Sequence, residues 1–211
     1  MLQQTLPYYL NIAAIVVFAI TGALAAIQSR KEMDIIAVII LGVVTAVGGG
    51  TARDVILNLP VFWVYDPSML IAAVAASIIT FFFRSGLKRR LSLLLYLDAL
   101  GNALLLMSVM KKVFGAGFSW EIAVSAGVLT AIGGGLIRDV LTGRTNLLLS
   151  RELYATPILL GALLYVLLLK FIPDSTPLQL GIVGFVFFFR VAAIRLDLSL
   201  PRWLIASEKQ S

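Results

Sequence analysis

The stretch "TAVGGGTARDV", residues 45–55, sets three consecutive glycines, an arginine and an aspartate inside an apolar segment. Eighty-five residues later the chain reads "TAIGGGLIRDV", residues 130–140. Aligning 42–55 with 127–140 gives ten identities in fourteen positions, including every glycine of the triplet and the Arg-Asp pair. Two apolar helices that resemble each other by composition alone do not share such a register. Glycine in a helix interior is about 1 kcal/mol worse than alanine, and charges are costly in hydrocarbon. The chain carries both costs twice, at matched positions.

The surroundings are those of a membrane protein. The chain has 211 residues, 60% of them hydrophobic and 13% charged, with a mean hydropathy of +1.00. A soluble domain is about half apolar and a quarter charged. Seven apolar runs fall at roughly 8–28, 34–58, 67–84, 91–110, 120–143, 153–171 and 177–195. Each approaches the ~20 residues that a helix needs to cross a bilayer. The first run lacks a basic leader and a clear cleavage site, so it reads as a retained span rather than a signal peptide. There is no histidine and no cysteine. That excludes disulfides, His-metal sites and Ser-His-Asp chemistry. No catalytic set is recognisable, so the chain reads as a non-enzyme with no cofactor.

The connecting loops carry most of the charge, and they divide unequally. Eleven basic residues fall on one side: Arg30, Lys31, Arg84, Lys88, Arg89, Arg90, Arg144, Arg151, Arg195, Arg202 and Lys209. Lys111, Lys112 and Lys170 fall on the other. The positive-inside rule puts the rich side in the cytoplasm, with the N-terminus outside and the C-terminus inside. Tyr8, Tyr9, Trp63, Tyr65, Trp120 and Trp203 stand near span ends, as an interfacial aromatic belt does. The net charge of +6 thus reads as membrane orientation, not as nucleic-acid binding. In the two "FFFR" copies, Arg84 and Arg190 read as snorkelling arginines.

The duplication organises the spans. Residues 1–87 hold three spans, 88–173 hold three more, and 174–211 hold a seventh helix and a cytoplasmic tail. Three is odd, so the second unit enters from the opposite face, as an inverted repeat. The expected fold is all-α and polytopic, with spans 2 and 5 broken at Gly48, Gly49, Gly50 and at Gly133, Gly134, Gly135. A break frees carbonyls and amides, which a membrane tolerates only where protein or water satisfies them. The competing reading is close helix packing through small residues.

Arg53 and Asp54, like Arg138 and Asp139, pair either locally or across the repeats, and are candidates to line or gate a pathway. Thr45 and Thr130 either face that pathway or bond back to the preceding turn. Asp98 is an intramembrane carboxylate, a functional candidate by default. It has Asn102 one turn further on its face, and Arg190 is one structural partner open to it. No nucleotide loop is present: the sixth position of a G-x-G-x-x-G pattern is Arg53 or Arg138, and the G-K-[ST] ending is missing.

"GGGTARD", "GGGLIRD", "PVFW" after the first and "RELYAT" after the second resemble the prokaryotic branch of the TRIC, or trimeric intracellular cation channel, family. The resemblance covers about residues 10–196. It implies a homotrimer in the plasma (inner) membrane, in contact with membrane lipids. A pore within each protomer conducts potassium or sodium ions, chiefly potassium. The kinks of spans 2 and 5 line it, with a monovalent cation at the glycine carbonyls. The same repeat unit is described in bacterial relatives as a glycine-transporter domain. The alternative is therefore a secondary transporter of a small amino acid, whose carboxylate would sit on half-helix N-termini.

Overall fold

A computed structural model describes residues 2–29, 32–83, 91–149 and 153–199. Among them are eight α-helices and one 3-10 turn. They are α1 (Leu2–Gln28), α2 (Ile35–Ile56), α3 (Phe62–Tyr65), α4 (Ser68–Phe82), α5 (Leu91–Gly115), α6 (Trp120–Thr142), α7 (Ala155–Leu168) and α8 (Thr176–Arg195). The turn η1 covers Leu147–Leu149. Five helices are long and apolar enough to cross a membrane. Two more, α4 and α7, are apolar but shorter, at 15 and 14 residues. At 1.5 Å per residue they span about 22 Å, less than the hydrocarbon thickness of about 30 Å. The chain is an all-helical membrane protein. Arg30, Lys31, Arg84, Lys88, Arg89, Arg90, Arg151, Arg202, Trp203 and Lys209 lie outside the described residues, as does the boundary at 87/88.

The α1 and α5 helices form the centre. About two thirds of each apolar window is buried, against 44% for α2 and α6 and 33% for α8. Small residues make this possible. Ala14, Ala19, Ala23 and Ala25 of α1 are fully buried, and Phe18 of α1 packs over Gly101 of α5. Without a hydrophobic force between helices in lipid, such close van der Waals packing is what holds them. The α2 helix starts at Asp34, whose carboxylate accepts from the Ala37 amide at 2.7 Å. The α6 helix stops at Gly143, in the left-handed region at φ 66°, where a glycine lets the chain turn out of a helix.

A polar clamp ties α5, α7 and α8 together. Asp174, in the turn before α8, pairs with Lys111 of α5. It also accepts from Tyr165 Oη and Gln179 Nε2, each at 2.9 Å. Partial burial pushes the Asp174 carboxyl up, but the hydrogen bonds from Lys111, Gln179 and Tyr165 outweigh it and hold it below the usual range. A carboxyl lowered by folding contributes stability above its ordinary pKa of about 4 and loses it as pH falls through the folded value. Thermal unfolding in detergent from pH 6 to pH 3 should therefore show a smaller loss of melting temperature for Asp174→Asn than for the parent. An equal loss in both proteins would place the acid sensitivity elsewhere.

Candidate functional site at the glycine crossing

The two glycine triplets do not break their helices. The helical run of α2 continues from Ile35 to Ile56, and that of α6 from Trp120 to Thr142. This corrects the expectation of broken spans. The carbonyls at Gly48, Gly49, Gly50, Gly133, Gly134 and Gly135 are therefore not freed by a break, since a continuous helix draws them into its own ladder.

The glycines instead serve a contact. A Cβ on Gly49 would lie 2.6 Å from the Thr130 carbonyl oxygen. A Cβ on Gly134 would collide with the Thr45 carbonyl oxygen. The two contacts are reciprocal, and α2 and α6 cross antiparallel there. A Cβ on Gly133 would stand 3.5 Å from the Gly49 Cα. Packing energy gained by this approach offsets the poor helix propensity, so helix breaking loses to helix packing. The threonine side chains differ. Thr45 Oγ1 bonds back to the Leu41 carbonyl at 2.6 Å. Thr130 Oγ1 is buried and has no partner among the described residues.

The third glycine of each triplet receives a neighbour. Phe62 of α3 sits on Gly50. Around Gly135, the Tyr154 hydroxyl, an Asp98 oxygen and Arg138 Nη2 lie 3.0, 3.1 and 3.4 Å from where a Cβ would be.

The charges pair locally, and the cross-repeat pairs are not formed. Arg53 Nε donates to Asp54 Oδ1 at 2.9 Å, and Arg138 Nε to Asp139 Oδ1 at the same distance. The second oxygen of each aspartate holds a backbone amide eight residues on: Phe62 N for Asp54 and Leu147 N for Asp139. Each aspartate thus fixes its arginine and the returning chain together.

Helix α5 supplies one further charge to each cluster, of opposite sign. Asp98 Oδ1 accepts from Arg138 Nη1 at 2.7 Å. Lys112 Nζ donates to both oxygens of Asp54 at 2.8 Å. Fourteen residues separate Asp98 from Lys112, about 21 Å along a helix. Arg53, Asp54 and Lys112 sum to one positive charge; Arg138, Asp139 and Asp98 sum to one negative charge.

Asn102 lies beside Asp98 as its spacing implies, donating to Asp98 Oδ2 at 3.0 Å. The Asp98 partner is Arg138, not Arg190. Arg190 does not snorkel: it is 1% exposed. Its Nη1 donates to the Leu153 carbonyl at 2.9 Å, and its guanidinium lies 4.8 Å from the Tyr154 ring centre. The hydroxyl of that tyrosine reaches the Asp98 cluster, so a planar cation stacked on an aromatic replaces the expected exposed head.

Lys112, Tyr154, Phe62 and Trp63 are members of this site that the sequence did not assign to it. The two lysines at 111 and 112 end an apolar run, which reads as an interfacial signal. Their separate partners, Asp174 and Asp54, come from distant parts of the chain.

A cavity of about 330 Å³ opens beside the crossing. Gly49, Thr130 and Gly133 contribute to its wall, together with Arg53 and apolar side chains such as Leu129 and Ile137.

Comparisons with known proteins agree with this fold. A family model described as glycine transporter matches residues 8–85 and 95–170. The UPF0126 inner membrane protein YadS of Escherichia coli (strain K12) is 40% identical over 205 residues, covering 95% of this chain and 97% of its own length. The UPF0126 membrane protein YvgT of Bacillus subtilis is 36% identical over 157 residues, covering 74% and 77%. A solved structure of the TRIC trimeric intracellular cation channel orthologue from Rhodobacter sphaeroides has 38% identity and a TM-score of 0.86, covering 92% of this chain and 100% of that one. A trimeric intracellular cation channel from C. elegans, at 16% identity and a TM-score of 0.59, shares the fold.

Removing one member of a buried ion cluster leaves its partner uncompensated, at a cost of about 3–5 kcal/mol. Asp98→Asn should therefore lower the melting temperature of the purified protein markedly. Asp66→Asn, on an exposed turn, should shift stability by less than about 0.5 kcal/mol. Equal, small shifts would mean that the Asp98–Arg138 pair is not holding the helices.

Proposed function

This chain belongs to the prokaryotic TRIC family, and we propose that it is a monovalent cation channel, chiefly for potassium, with one pathway inside each protomer of a homotrimer. The observation that carries this reading is a set of buried, unpartnered polar atoms on α5 and α6, which we read as a lane beside the glycine crossing. Arg138 Nη2, Asn102 Oδ1 and Thr130 Oγ1 are each buried without a partner among the described residues. Buried polar groups are nearly always satisfied, by protein or by ordered water. At membrane depth, polar groups freed from such partners are tolerated where protein buries them or where they line water, and we read these as lining water.

The lane continues past the crossing to Arg53, Asp54 and Lys112. The negative cluster at Asp98 concentrates cations at one end. The pathway narrows where Gly49 and Gly134 meet the threonine carbonyls, and opens when α2 and α6 part there.

Seven crossings, with 1–87 and 88–173 as inverted units, account for the reciprocal contacts at a constant offset of 85 residues. The same offset relates the two aspartate-to-amide bonds. Naming the E. coli relative an inner membrane protein supports placement in the inner membrane, among its lipids; the unequal share of basic residues between the loops supports an N-terminus outside and a cytoplasmic C-terminus. The solved relatives are described as cation channels, which supports channel over carrier.

One observation favours a second reading, a secondary transporter of glycine: the matching family model bears that description. Purified protein in potassium-loaded liposomes separates the two. The channel reading expects potassium efflux that needs no amino acid and single-channel currents in a planar bilayer. Saturable glycine uptake without such currents would overturn it.

A further inference from the structure

We infer that residues 59–65, the segment between α2 and α4, form a latched strap across the Lys112 end of the pathway, and that its release opens that end. The inference rests on the channel reading and concerns how that same site is regulated. It starts from "PVFW", residues 60–63, a signature that the pathway itself leaves without a role.

The backbone makes a sharp exit from α2. Asn58 takes a left-handed conformation, at φ 51°, and Pro60 follows. The chain then folds back on the helix it has just left. Phe62 lies on Gly50, where a Cβ would be 2.7 Å from the ring. The Phe62 amide donates to Asp54 Oδ2 at 3.1 Å. Trp63 Nε1 donates to Thr51 Oγ1 at 2.9 Å, and Thr51 Oγ1 in turn donates to the Val47 carbonyl. Lys112, held by Asp54, stands 5.9 Å from the Phe62 ring centre. The strap therefore covers the Arg53–Asp54–Lys112 cluster and the third glycine.

Its hold combines the polar contacts above with partial burial of Phe62 and Trp63 against the core. No residue of α3 is buried, and Val64 and Tyr65 are 57% and 76% exposed. A segment with few buried apolar contacts opens at low cost compared with the whole fold. The Trp63–Thr51 bond is the contact whose loss spares the cluster: it touches none of its three charges. A short backbone swing about Asn58 would lift Phe62 from Gly50 and uncover the cluster.

Trp63→Phe keeps an aromatic ring, though a smaller one, and removes the donor; Thr51→Val keeps the shape and removes the acceptor. One lost hydrogen bond corresponds to about a fivefold shift in a local opening equilibrium. Hydrogen exchange of the 59–66 peptide, followed by mass spectrometry on the full-length protein in detergent, should speed up about fivefold in either variant. Potassium efflux from liposomes should rise in the same proportion with unchanged potassium-to-sodium preference. The double variant should add nothing beyond either single one, because both remove one bond.

Faster exchange with unchanged efflux would overturn the strap as a gate. Unchanged exchange would overturn the latch itself. Failure of the parent protein to pass any potassium would instead count against the channel reading. Glycine uptake by the same variants then decides the strap, an unchanged rate overturning it.

Discussion

The structure depends on one close approach. Helices α2 and α6 cross where Gly49 faces the carbonyl of Thr130 and Gly134 faces the carbonyl of Thr45. Any side chain at those two points would meet backbone rather than a flexible side-chain end, so it fits only if the helices shift. In lipid, helices gain little from burying apolar surface against one another, and contact distance decides how strongly they associate. The glycines give up helix propensity and receive this contact. Packing holds both helices continuous through the triplets.

Once the crossing is fixed, the charges have defined places. Each Arg-Asp pair sits one turn beyond its triplet, so the two pairs end up on opposite sides of the crossing. The aspartates join their own arginines to the chain that leaves the helix. The buried α5 runs alongside both and gives an aspartate to one cluster and a lysine to the other. The two clusters are thereby made electrically unlike, although their local motifs are nearly identical. A duplicated sequence has acquired direction from a helix on which the corresponding positions are not alike.

Much of this was legible in the sequence. The duplicated register identified the two helices that meet, and hydropathy marked seven apolar runs, of which five are helices long and apolar enough to cross a membrane. Asn102 beside Asp98 followed from helical spacing. Local Arg-Asp pairing was one of two readings, and the adjacent positions on one helix decided it. The break at the triplets was misjudged because propensity is a local property. The offsetting contact involves a carbonyl on another helix, and no pattern along α2 displays it. Arg190 was misread for a similar reason: "FFFR" gives no hint of Tyr154, 36 residues away. Lys112 was counted as a loop charge because its partner, Asp54, lies 58 residues away along the chain.

The central claim is that the pathway is narrowest at the glycine crossing and opens there. Potassium efflux from liposomes containing equal amounts of folded Gly49→Ala or Gly134→Ala protein tests it most directly. A methyl group at either position presses on a backbone carbonyl, at a cost of about 1–3 kcal/mol for overpacking, and biases how α2 and α6 sit. The account predicts that either substitution changes the efflux rate severalfold, while alanine at Gly181, where a Cβ meets nothing, does not. Parent-like efflux from both crossing variants would mean that ions pass elsewhere in the protomer.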